Sequence, residues 1–321
     1  MSSLSHYFPT LIIKRFNEIG INTIYDFICT DPKTIATKLS VPQNIIEELN
    51  FEILNSSKNL QINGADLYLN PPSCIKTGCK KFDDLFSGGI FTREITEIAG
   101  KSSTGKTQFC FTLIHHLAYK NKSNICYIDT SNSFSAMRLK EIHENYIKNE
   151  IKEDELGEND QKNQEDPYDF LFRIRVAKLF NIFDLFKTIK EISSQKLEFF
   201  QDIKLLVIDS ISHISSPIIS KATRGRELIS FLSHDLKKIA NDLDIAILIT
   251  NAFVSVDLNR KKHKPALGEM WYTVPSVRLE MDYQWIGDGN VLCAKITRSP
   301  RVKKENSLIY QIDESGIHGK N

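Results

Sequence analysis

The sequence predicts an α/β fold in which helices cover both faces of a mostly parallel sheet, with a small helical domain before it. Five short apolar runs alternate with helical patterns between residues 94 and 250, which is typical of parallel strands joined by helices. Only strand-like segments follow residue 276, and we expect them to extend the sheet as an antiparallel edge. The first 60 residues contain only short segments with the apolar spacing of amphipathic helices.

The helical N-terminal bundle is expected at residues 1–60. Its predicted helical segments surround the apolar positions 11, 12, 16 and 19 and then cover 24–28, 32–39 and 42–54. Residues 55–72 are polar and end in Pro71-Pro72, which indicates a linker. We therefore place a linker and docking segment at 61–75 and the core at 76–321.

The elements of the core follow from the same patterns. The predicted strands are 94–99, 124–129, 172–177, 204–209 and 245–250, then 276–283, 290–297 and 307–312; the predicted helices are 107–119, 183–193 and 226–243. Residues 149–169 hold nine acidic residues and almost nothing apolar. Such a segment buries too little surface to offset the entropy of ordering, so we predict a disordered insertion there.

Composition limits the classes of function. The 321 residues include 41 Lys and Arg against 40 Asp and Glu, a net charge of +1 that argues against a globally basic nucleic-acid binder but allows a local basic patch. No apolar run is long enough for a membrane-spanning helix, and the first residues lack the pattern of a secretory signal. Membrane insertion and secretion are therefore not expected.

Six cysteines occur without a C-x-x-C pair. Cys110 and Cys126 lie in apolar stretches and are expected to be small buried residues. Cys74 and Cys79 are close in sequence, but no second Cys or His pair accompanies them as a metal site would require. The pattern favours a reducing compartment, the cytosol or the nucleus.

The strongest motif is a phosphate-binding loop. It reads Gly100-Lys101-Ser102-Ser103-Thr104-Gly105-Lys106-Thr107, with a predicted strand before it and a predicted helix after it. In such a loop the backbone N–H groups curl around an anion, and the helix N-terminus adds a favourable dipole. The strand and helix on either side disfavour the alternative of a chance match in a turn.

The same motif assigns a role to three side chains. Lys106 is expected to reach the β- and γ-phosphates, and the Thr107 hydroxyl to take one Mg²⁺ position. Asp209 ends an apolar strand about 100 residues later, where proteins with this loop hold Mg²⁺ through water. The sequence therefore predicts a site for ATP or ADP with Mg²⁺.

These motifs carry a resemblance to a known family. The chain resembles the RecA-like ATPases of eukaryotic homologous recombination, and most closely their D-type Rad51 paralogues, over nearly its whole length. The matching segments are 62–68, 76–83, 88–90, 95–100, 105–108, 264–268, Trp271 and 274–276. The resemblance implies a RecA-like core and adds Gln108 and Arg138 to the nucleotide-binding residues, with Arg138 against adenine; a solvent-facing helical arginine is the alternative.

Two positions depart from the active recombinases. Ser131 stands where that family places a glutamate that polarises the attacking water, and serine is a much poorer base. Ala252 stands where the family has a glutamine that reports the γ-phosphate to a DNA-binding loop. Asp129 is a possible substitute base, although we expect it to cap its strand instead. Together the two losses predict no catalytic base, nucleotide binding without efficient hydrolysis, and a structural or regulatory subunit.

Alternative functions remain at this point. A homofilament-forming strand-exchange ATPase is the main one, and Ser131 and Ala252 argue against it. An unrelated kinase or transporter ATPase would require a substrate lid or signature loop, which the sequence lacks.

The resemblance also suggests DNA contacts. The candidate residues are Lys221 and Arg224 in one loop and Arg260, Lys261, Lys262 and Lys264 in another. Cations there would neutralise phosphates of single-stranded or branched DNA without reading its sequence; a solvated charge run or part of a nuclear localisation signal is the alternative. A third cluster, Arg298, Arg301, Lys303 and Lys304, could meet ATP, DNA or only water.

A partner contact is implied by the linker. The recombinases join subunits through a Phe-x-x-Ala segment that fills two pockets of the next subunit, and Ile62 and Ala65 have the same spacing; a plain linker is the alternative. The aliphatic residue in place of Phe favours a partner of a different sequence, that is, a hetero-oligomer. The resemblance implies that the partners are paralogue C and X-ray-repair paralogue two and that the complex acts in the nucleus. Trp271 and Trp285 are expected to be packing residues rather than ligand contacts.

Overall fold

The computed structural model describes residues 8–56, 63–154, 166–219, 223–255, 263–286, 289–302 and 306–320. The chain divides into two compact units, one ending at Pro71 and the other beginning at Pro72.

The first unit is helical. Its helices are α1 (Thr10–Glu18), α2 (Ile24–Cys29), α3 (Pro32–Leu39), α4 (Gln43–Ser56) and the short α5 (Gly64–Leu69). Phe8, Phe16 and Phe27 meet at the centre of the bundle with ring centroids 4.9 to 5.2 Å apart. Thr23 caps α2 in a capping box, and Asp31 caps α3 just before a proline. The predicted N-terminal helices are confirmed.

The second unit contains a large main sheet and a separate sheet formed by its first two short strands. Its strands are β1 (Cys74–Ile75), β2 (Ile90–Phe91), β3 (Ile95–Gly100), β4 (Asn124–Asp129), β5 (Ile174–Lys178), β6 (Ile203–Asp209), β7 (Ala246–Ser255), β8 (His263–Pro265), β9 (Val277–Ile286), β10 (Gly289–Arg298), β11 (Ser307–Asp313) and β12 (Gly316–Gly319). The main sheet runs β12-β11-β10-β9-β3-β7-β6-β4-β5, and β8 pairs with the end of β7. Strands from β9 to β5 are parallel, whereas β10, β11 and β12 are antiparallel. The predicted fold class is confirmed.

Helices cover the sheet on both faces. They are α6 (Lys80–Leu85), α7 (Lys106–Tyr119), α8 (Ala136–Asp154), α9 (Ile182–Ser194), α10 (Ile211–Ile219), α11 (Thr223–Asp242) and α12 (Gly268–Tyr272). One apolar core lies between the sheet and α6, α7 and α8. A second lies between the sheet and α9, α10 and α11. Alternate residues of the central strands enter opposite cores, as period-two side chains must.

Two sequence expectations need correction. The strand predicted at 172–177 begins at Ile174, because residues Asp169–Arg173 form a 3₁₀ turn. The disordered insertion predicted at 149–169 includes residues with regular structure, since residues 149–154 belong to α8 and Asp169 begins the 3₁₀ turn; residues 155–165 lie outside the described part. Glu150 is held in α8 by hydrogen bonds from Lys120 (2.5 Å) and Tyr146 (2.8 Å), which offset its acidic surroundings.

None of the helices in the described ranges combines the length and apolar character that crossing a membrane requires.

Candidate nucleotide site at the carboxyl edge of the sheet

The phosphate-binding loop connects the central strand β3 to α7. Strand β3 is buried along its whole length, so its carboxyl end is fixed. Gly105 is the N-cap of α7 with a positive φ of 90°, a conformation that glycine adopts without strain. A Cβ atom at Gly105 would lie 2.3 Å from Ile312 Cδ1, so a side chain there would have to displace the end of Ile312.

Lys106 is the first residue of α7 and lines the cavity beside the loop. Its ammonium donates hydrogen bonds to the carbonyls of Gly100 (3.0 Å) and Lys101 (2.6 Å). Burial lowers the pKa of Lys106, and the nearby Asp209 carboxylate offsets part of this effect. The loop therefore presents a positioned cation to the cavity beside it.

The structure brings Asp209 next to Thr107, although 102 residues separate them in sequence. Asp209 Oδ2 accepts hydrogen bonds from the Thr107 hydroxyl and from the Tyr127 phenol, both at 2.7 Å. Asp209 Oδ1 accepts one from Thr250. Burial, followed by the Asp209 charge, raises the pKa of Tyr127 well above its usual value, so the phenol remains a donor.

A cavity of about 430 Å³ lies over these residues. It is lined by Ser102, Ser103, Gly105, Lys106, Thr107, Gln108, Ser131, Asp209, Ser210, Ala252 and Ile312. Among the predicted residues of the loop itself, Gly100, Lys101 and Thr104 are not in this lining: Gly100 ends the strand, Lys101 pairs with Asp282, and Thr104 is buried. Ser131 and Ala252 both line the cavity. Ser210 and Ile312 are lining residues that sequence reasoning missed.

Asp129 is fully engaged by backbone groups. Its Oδ1 accepts from the N–H groups of Ser131 and Ser133, both at 3.1 Å, and its Oδ2 from that of Phe134 at 3.0 Å. The Ser131 hydroxyl donates to Ser133 (2.9 Å). A carboxylate with three such bonds stabilises the turn after β4 and is poorly suited to act as a base.

Residues that are distant in sequence hold the loop by two hydrogen bonds and one ion pair. Tyr283 donates to the Ser103 carbonyl (2.9 Å), Tyr310 donates to the Thr104 carbonyl (2.6 Å), and Lys101 pairs with Asp282 (2.9 Å). No local sequence signal marks these partners, because each lies about 180 or more positions along the chain.

Arg138 lies beside the cavity but does not line it. Its guanidinium donates to Gln108 Oε1 (2.9 Å) and to the carbonyls of Asp313 and Glu314, and it pairs with Glu141 (2.5 Å). Arg138 thus ties the start of α7 to the turn between β11 and β12. Its role against adenine stays a prediction.

Only two of the six predicted DNA-binding residues, Arg224 and Lys264, lie in the part of the chain that the structure describes. Lys221, Arg260, Lys261 and Lys262 lie outside the described residues, and Arg224 lies in α11. Lys264 lies in β8, opposite Val254, and pairs with Glu269 (3.2 Å). The hairpin of β7 and β8 continues from the carboxyl end of β7, the same edge of the sheet as the cavity, so Lys264 lies at that edge.

The remaining candidate residues lie elsewhere. Ile62 is outside the described residues, and Ala65 is exposed in the first turn of α5. Arg301 forms a two-bond pair with Glu94 and covers the Phe91 ring at 4.1 Å, at the amino end of β3 and therefore opposite to the cavity. Arg298 ends β10, and Lys303 and Lys304 are outside the described residues.

Tryptophans and cysteines were also assigned from sequence. Trp271 is fully buried, as expected, but Trp285 is 71% exposed near the end of β9, so the packing role expected for it was wrong. Cys110 and Cys126 are buried, which confirms their prediction. Across the described ranges, no group of three or more His, Cys, Asp or Glu residues could hold a metal ion by itself.

Comparison with known proteins identifies the family to which the sequence of this chain is similar. The family model described as Rad51 matches residues 73–320. The chain is 30% identical over 303 residues to "DNA repair protein RAD51 homolog 4" of Bos taurus, covering 91% of this chain and 88% of that protein. It is 28% identical over 293 residues to the protein of the same name in Mus musculus, with 88% and 84% covered. A "Probable DNA repair protein RAD51 homolog 4" of Dictyostelium discoideum is 32% identical over 321 residues, with 89% of each covered.

Proposed function

The chain belongs to the Rad51 family, as a paralogue of the D type, and we propose that it is an ATP-binding subunit of a heteromeric complex. The complex assists homologous-recombination repair of DNA breaks and stalled forks. Its relatives are named as DNA repair proteins, which supports this role. The chain hydrolyses ATP weakly at most, in a DNA-dependent manner.

The cavity fits ATP with Mg²⁺. The Lys106 ammonium and the N-terminus of the 14-residue helix α7 favour a polyphosphate anion. The Thr107 hydroxyl and the Asp209 carboxylate would hold Mg²⁺, which is commonly bound by one or two such oxygen groups together with substrate phosphates. Bound Mg²⁺ would neutralise phosphate charge there.

The observation that carries the weak-hydrolysis proposal is the lining of this cavity. Ser131 and Ala252 face it together, and Asp209 is the only carboxylate among the described lining residues. Asp209 already accepts three hydrogen bonds, and Asp129 is engaged by the backbone. No described side chain is therefore placed to activate water.

Lys106→Ala tests the nucleotide site. It should abolish binding of a fluorescent ATP analogue, because the loop loses the cation that faces the phosphates. Binding as tight as that of the parent would show that the site is wrongly placed. Lys120→Ala, an exposed substitution at the far end of α7, is the matched control and should bind normally.

The alternative is a homofilament-forming strand-exchange ATPase. The rate of ATP hydrolysis in the presence of saturating single-stranded DNA separates the two functions. The proposed subunit should hydrolyse ATP slowly when it is alone, whereas a filament-forming enzyme should hydrolyse it rapidly. Rapid turnover by the isolated chain would overturn the proposal.

DNA contact forms part of the proposed function. The cations are Lys221, Arg224, Arg260, Lys261, Lys262 and Lys264. The hairpin of β7 and β8 supports this role, since it leaves the sheet beside the cavity. Neutralising 260–262 and 264 should flatten the salt dependence of DNA affinity by up to about 0.7 in log–log slope per lost single-strand contact. An unchanged slope would argue against contact there.

The partners are paralogues of the same family, and the complex acts in the nucleus. We assign paralogue C and X-ray-repair paralogue two as the specific partners, with Ile62 and Ala65 docking into one of them. Purification of the chain from a nuclear extract, with identification of the co-eluting proteins, tests this assignment; recovery without any family member would refute it.

A further inference from the structure

Tyr127 is a buried side chain that reaches Asp209 from inside the sheet. Its phenol donates to Asp209 Oδ2 at 2.7 Å, and the same oxygen accepts from the Thr107 hydroxyl at 2.7 Å. Tyr127 is fully buried and lies outside the lining of the cavity. We therefore expect the phenol to act on the nucleotide site through Asp209 and not by touching a nucleotide.

The register of two neighbouring strands brings the phenol to this carboxylate. Strands β4 and β6 are parallel, with Asp129 opposite Asp209 and Tyr127 opposite Val207. Tyr127 thus lies two residues before the level of Asp209, on the same face of the sheet, at a distance of about 6.6 Å along the strand. A phenol spans this distance, whereas phenylalanine would keep the ring and leave out the atom that donates.

The ring of Tyr127 is fixed by two other aromatic rings. The Phe134 ring lies 5.1 Å from it between centroids, at an interplanar angle of 62°, and the buried Phe111 ring of α7 lies 6.0 Å from it. Rings packed edge to face in a dense core have little freedom to move. The phenol oxygen therefore has a defined position that does not depend on the phosphate-binding loop.

The Asp209 carboxylate is held at both of its oxygens. Strand β6 lies between β7 and β4, and the buried Thr250 of β7 donates to Oδ1 while Tyr127 of β4 donates to Oδ2. Two donors on opposite sides fix the plane of the carboxylate. The Thr107 hydroxyl then places its single hydrogen on Oδ2, and its oxygen lone pairs stay available to a cation.

We propose that Tyr127 is a positioning residue for Mg²⁺, which holds the Asp209 carboxylate in the orientation that directs the Thr107 lone pairs to the ion. A carboxylate ordered before the ion arrives lowers the entropic cost of binding it. This inference rests on the proposed nucleotide site.

Tyr127→Phe tests it on the full-length chain, because this change removes the phenol oxygen and keeps the ring. Binding of a fluorescent ATP analogue is measured while free Mg²⁺ is raised from a chelated solution. The variant should need up to about tenfold more Mg²⁺ than the parent for half-maximal binding, the effect of one hydrogen bond. Its affinity for the analogue without Mg²⁺ should equal that of the parent, a split that a general loss of stability would not produce.

Tyr310→Phe is the matched control. Tyr310 is also a buried tyrosine, but its phenol donates to the Thr104 carbonyl of the loop (2.6 Å) and not to Asp209. Any loss of affinity in this variant should be the same with and without Mg²⁺. In an Asp209→Asn background, Tyr127→Phe should cause no further change in the Mg²⁺ requirement, because residues that act through one contact are not additive.

A second measurement does not depend on the folding of the variant. With 3-fluorotyrosine at position 127, which keeps the ring and the hydroxyl, the ¹⁹F resonance should shift when Mg²⁺ is added to the chain with the analogue bound. An unshifted resonance would overturn the inference.

The binding experiment can overturn it in two further ways. Tyr127→Phe could have the Mg²⁺ requirement of the parent, or a lower one, which is expected if the phenol mainly withdraws charge from Asp209. A parent chain that fails to bind the analogue at any Mg²⁺ concentration would instead refute the proposed function, so the two failures are distinguishable.

Discussion

Glu97 is the most deeply buried charge on the strand that leads to the nucleotide site. It is fully buried in β3 and pairs with the fully buried Arg278. Its Oε1 also accepts from Trp271 Nε1 (2.8 Å) and from Asn251 Nδ2 (2.7 Å). These contacts join β3 to β7, β9 and α12 by side chains as well as by the backbone. A buried charge held by its partners is costly to uncover, so each partner restricts where β3 can lie.

Glu97→Gln should lower the free energy of unfolding by about 3–5 kcal/mol, because Arg278 would stay buried without its counter-charge. Glu94→Gln is the control: it lies just before the same strand but pairs with the partly exposed Arg301, and should cost about 1 kcal/mol or less. Denaturant unfolding measures both. Equal losses would show that Glu97 and Arg278 contribute no more than a surface pair.

Ser131→Glu combined with Ala252→Gln should raise DNA-dependent ATP turnover if these two residues alone silence hydrolysis. The added carboxylate would face the cavity, where it could polarise water. Ser133→Glu with Ala252→Gln is the matched control, since Ser133 is exposed and outside the described lining. Steady-state phosphate release is the measurement, and unchanged turnover in the first variant would place the missing group elsewhere, for instance on a neighbouring subunit.

Helix α7 links the nucleotide site to two other elements, β12 and α8. It begins at Gly105, and its Thr112 hydroxyl accepts from the N–H of Ile317 (3.0 Å) in β12. Its His115 lies 3.0 Å from His143 of α8, measured between ring nitrogens. Both histidines are buried among aromatic rings. The position of α7 therefore depends on an uncharged contact between two titratable side chains.

Burial is the main reason that the pKa of His115 is lowered to about 3; His143 also lowers it. The folded pKa is below the unfolded value of about 6.5, so the unfolded chain binds the proton first as pH falls. The stabilisation is complete above about pH 6.5 and is lost progressively towards pH 3. The free energy of unfolding should fall between pH 7 and 5, with a contribution from His115 approaching about 1.4 kcal/mol per pH unit.

His115→Gln should reduce this slope, whatever its effect on absolute stability. His234→Gln, at an exposed position of α11, is the matched control for removing a histidine. Urea unfolding at several pH values measures the slopes. The same pH dependence in the parent and in His115→Gln would contradict the assignment.

At the scale of the whole molecule, the chain exposes apolar side chains in α5, the last helix in sequence before the division between its two units. Leu67, Tyr68 and Leu69 of α5 are 51%, 84% and 72% exposed. Contiguous exposed apolar side chains often mark protein interaction sites. This observation agrees with a docking role for the segment that contains Ile62 and Ala65.

Ile62→Asp combined with Ala65→Asp should release one partner and leave nucleotide binding intact. Charges forced into desolvated pockets cost several kcal/mol, which is enough to break an assembly. Leu11→Asp, which adds a charge at a 75% exposed position of α1, is the control. Co-purification with both partners is the measurement, and retention of both by the double variant would refute docking by the linker.

Features that depend on neighbouring residues could be predicted from sequence. The glycines and Lys106 of the loop, the apolar strand before it and the helix after it lie within about 25 positions, and the predicted bounds of β3 and α7 are within one residue of those observed. Asp209 could be found because the apolar strand before it is a local pattern. The antiparallel C-terminal strands were predicted for the same reason, although β12 was missed because its four residues are too few to show a period.

Contacts between distant segments were decided only by the tertiary structure. The order of strands places β9 beside β3 and the end of β11 over Gly105, which brings Tyr283, Tyr310 and Ile312 to the loop. Nothing in the local pattern of these strands specifies which neighbour each one takes, because strand propensity reflects burial and not partner choice. The Ser212 contact with Ala252 and the binding of Arg138 to carbonyls 175 and 176 residues away have the same origin. Local pattern thus determined most residues of the site, whereas packing of the sheet added Ile312 to its lining and determined which distant residues hold the loop.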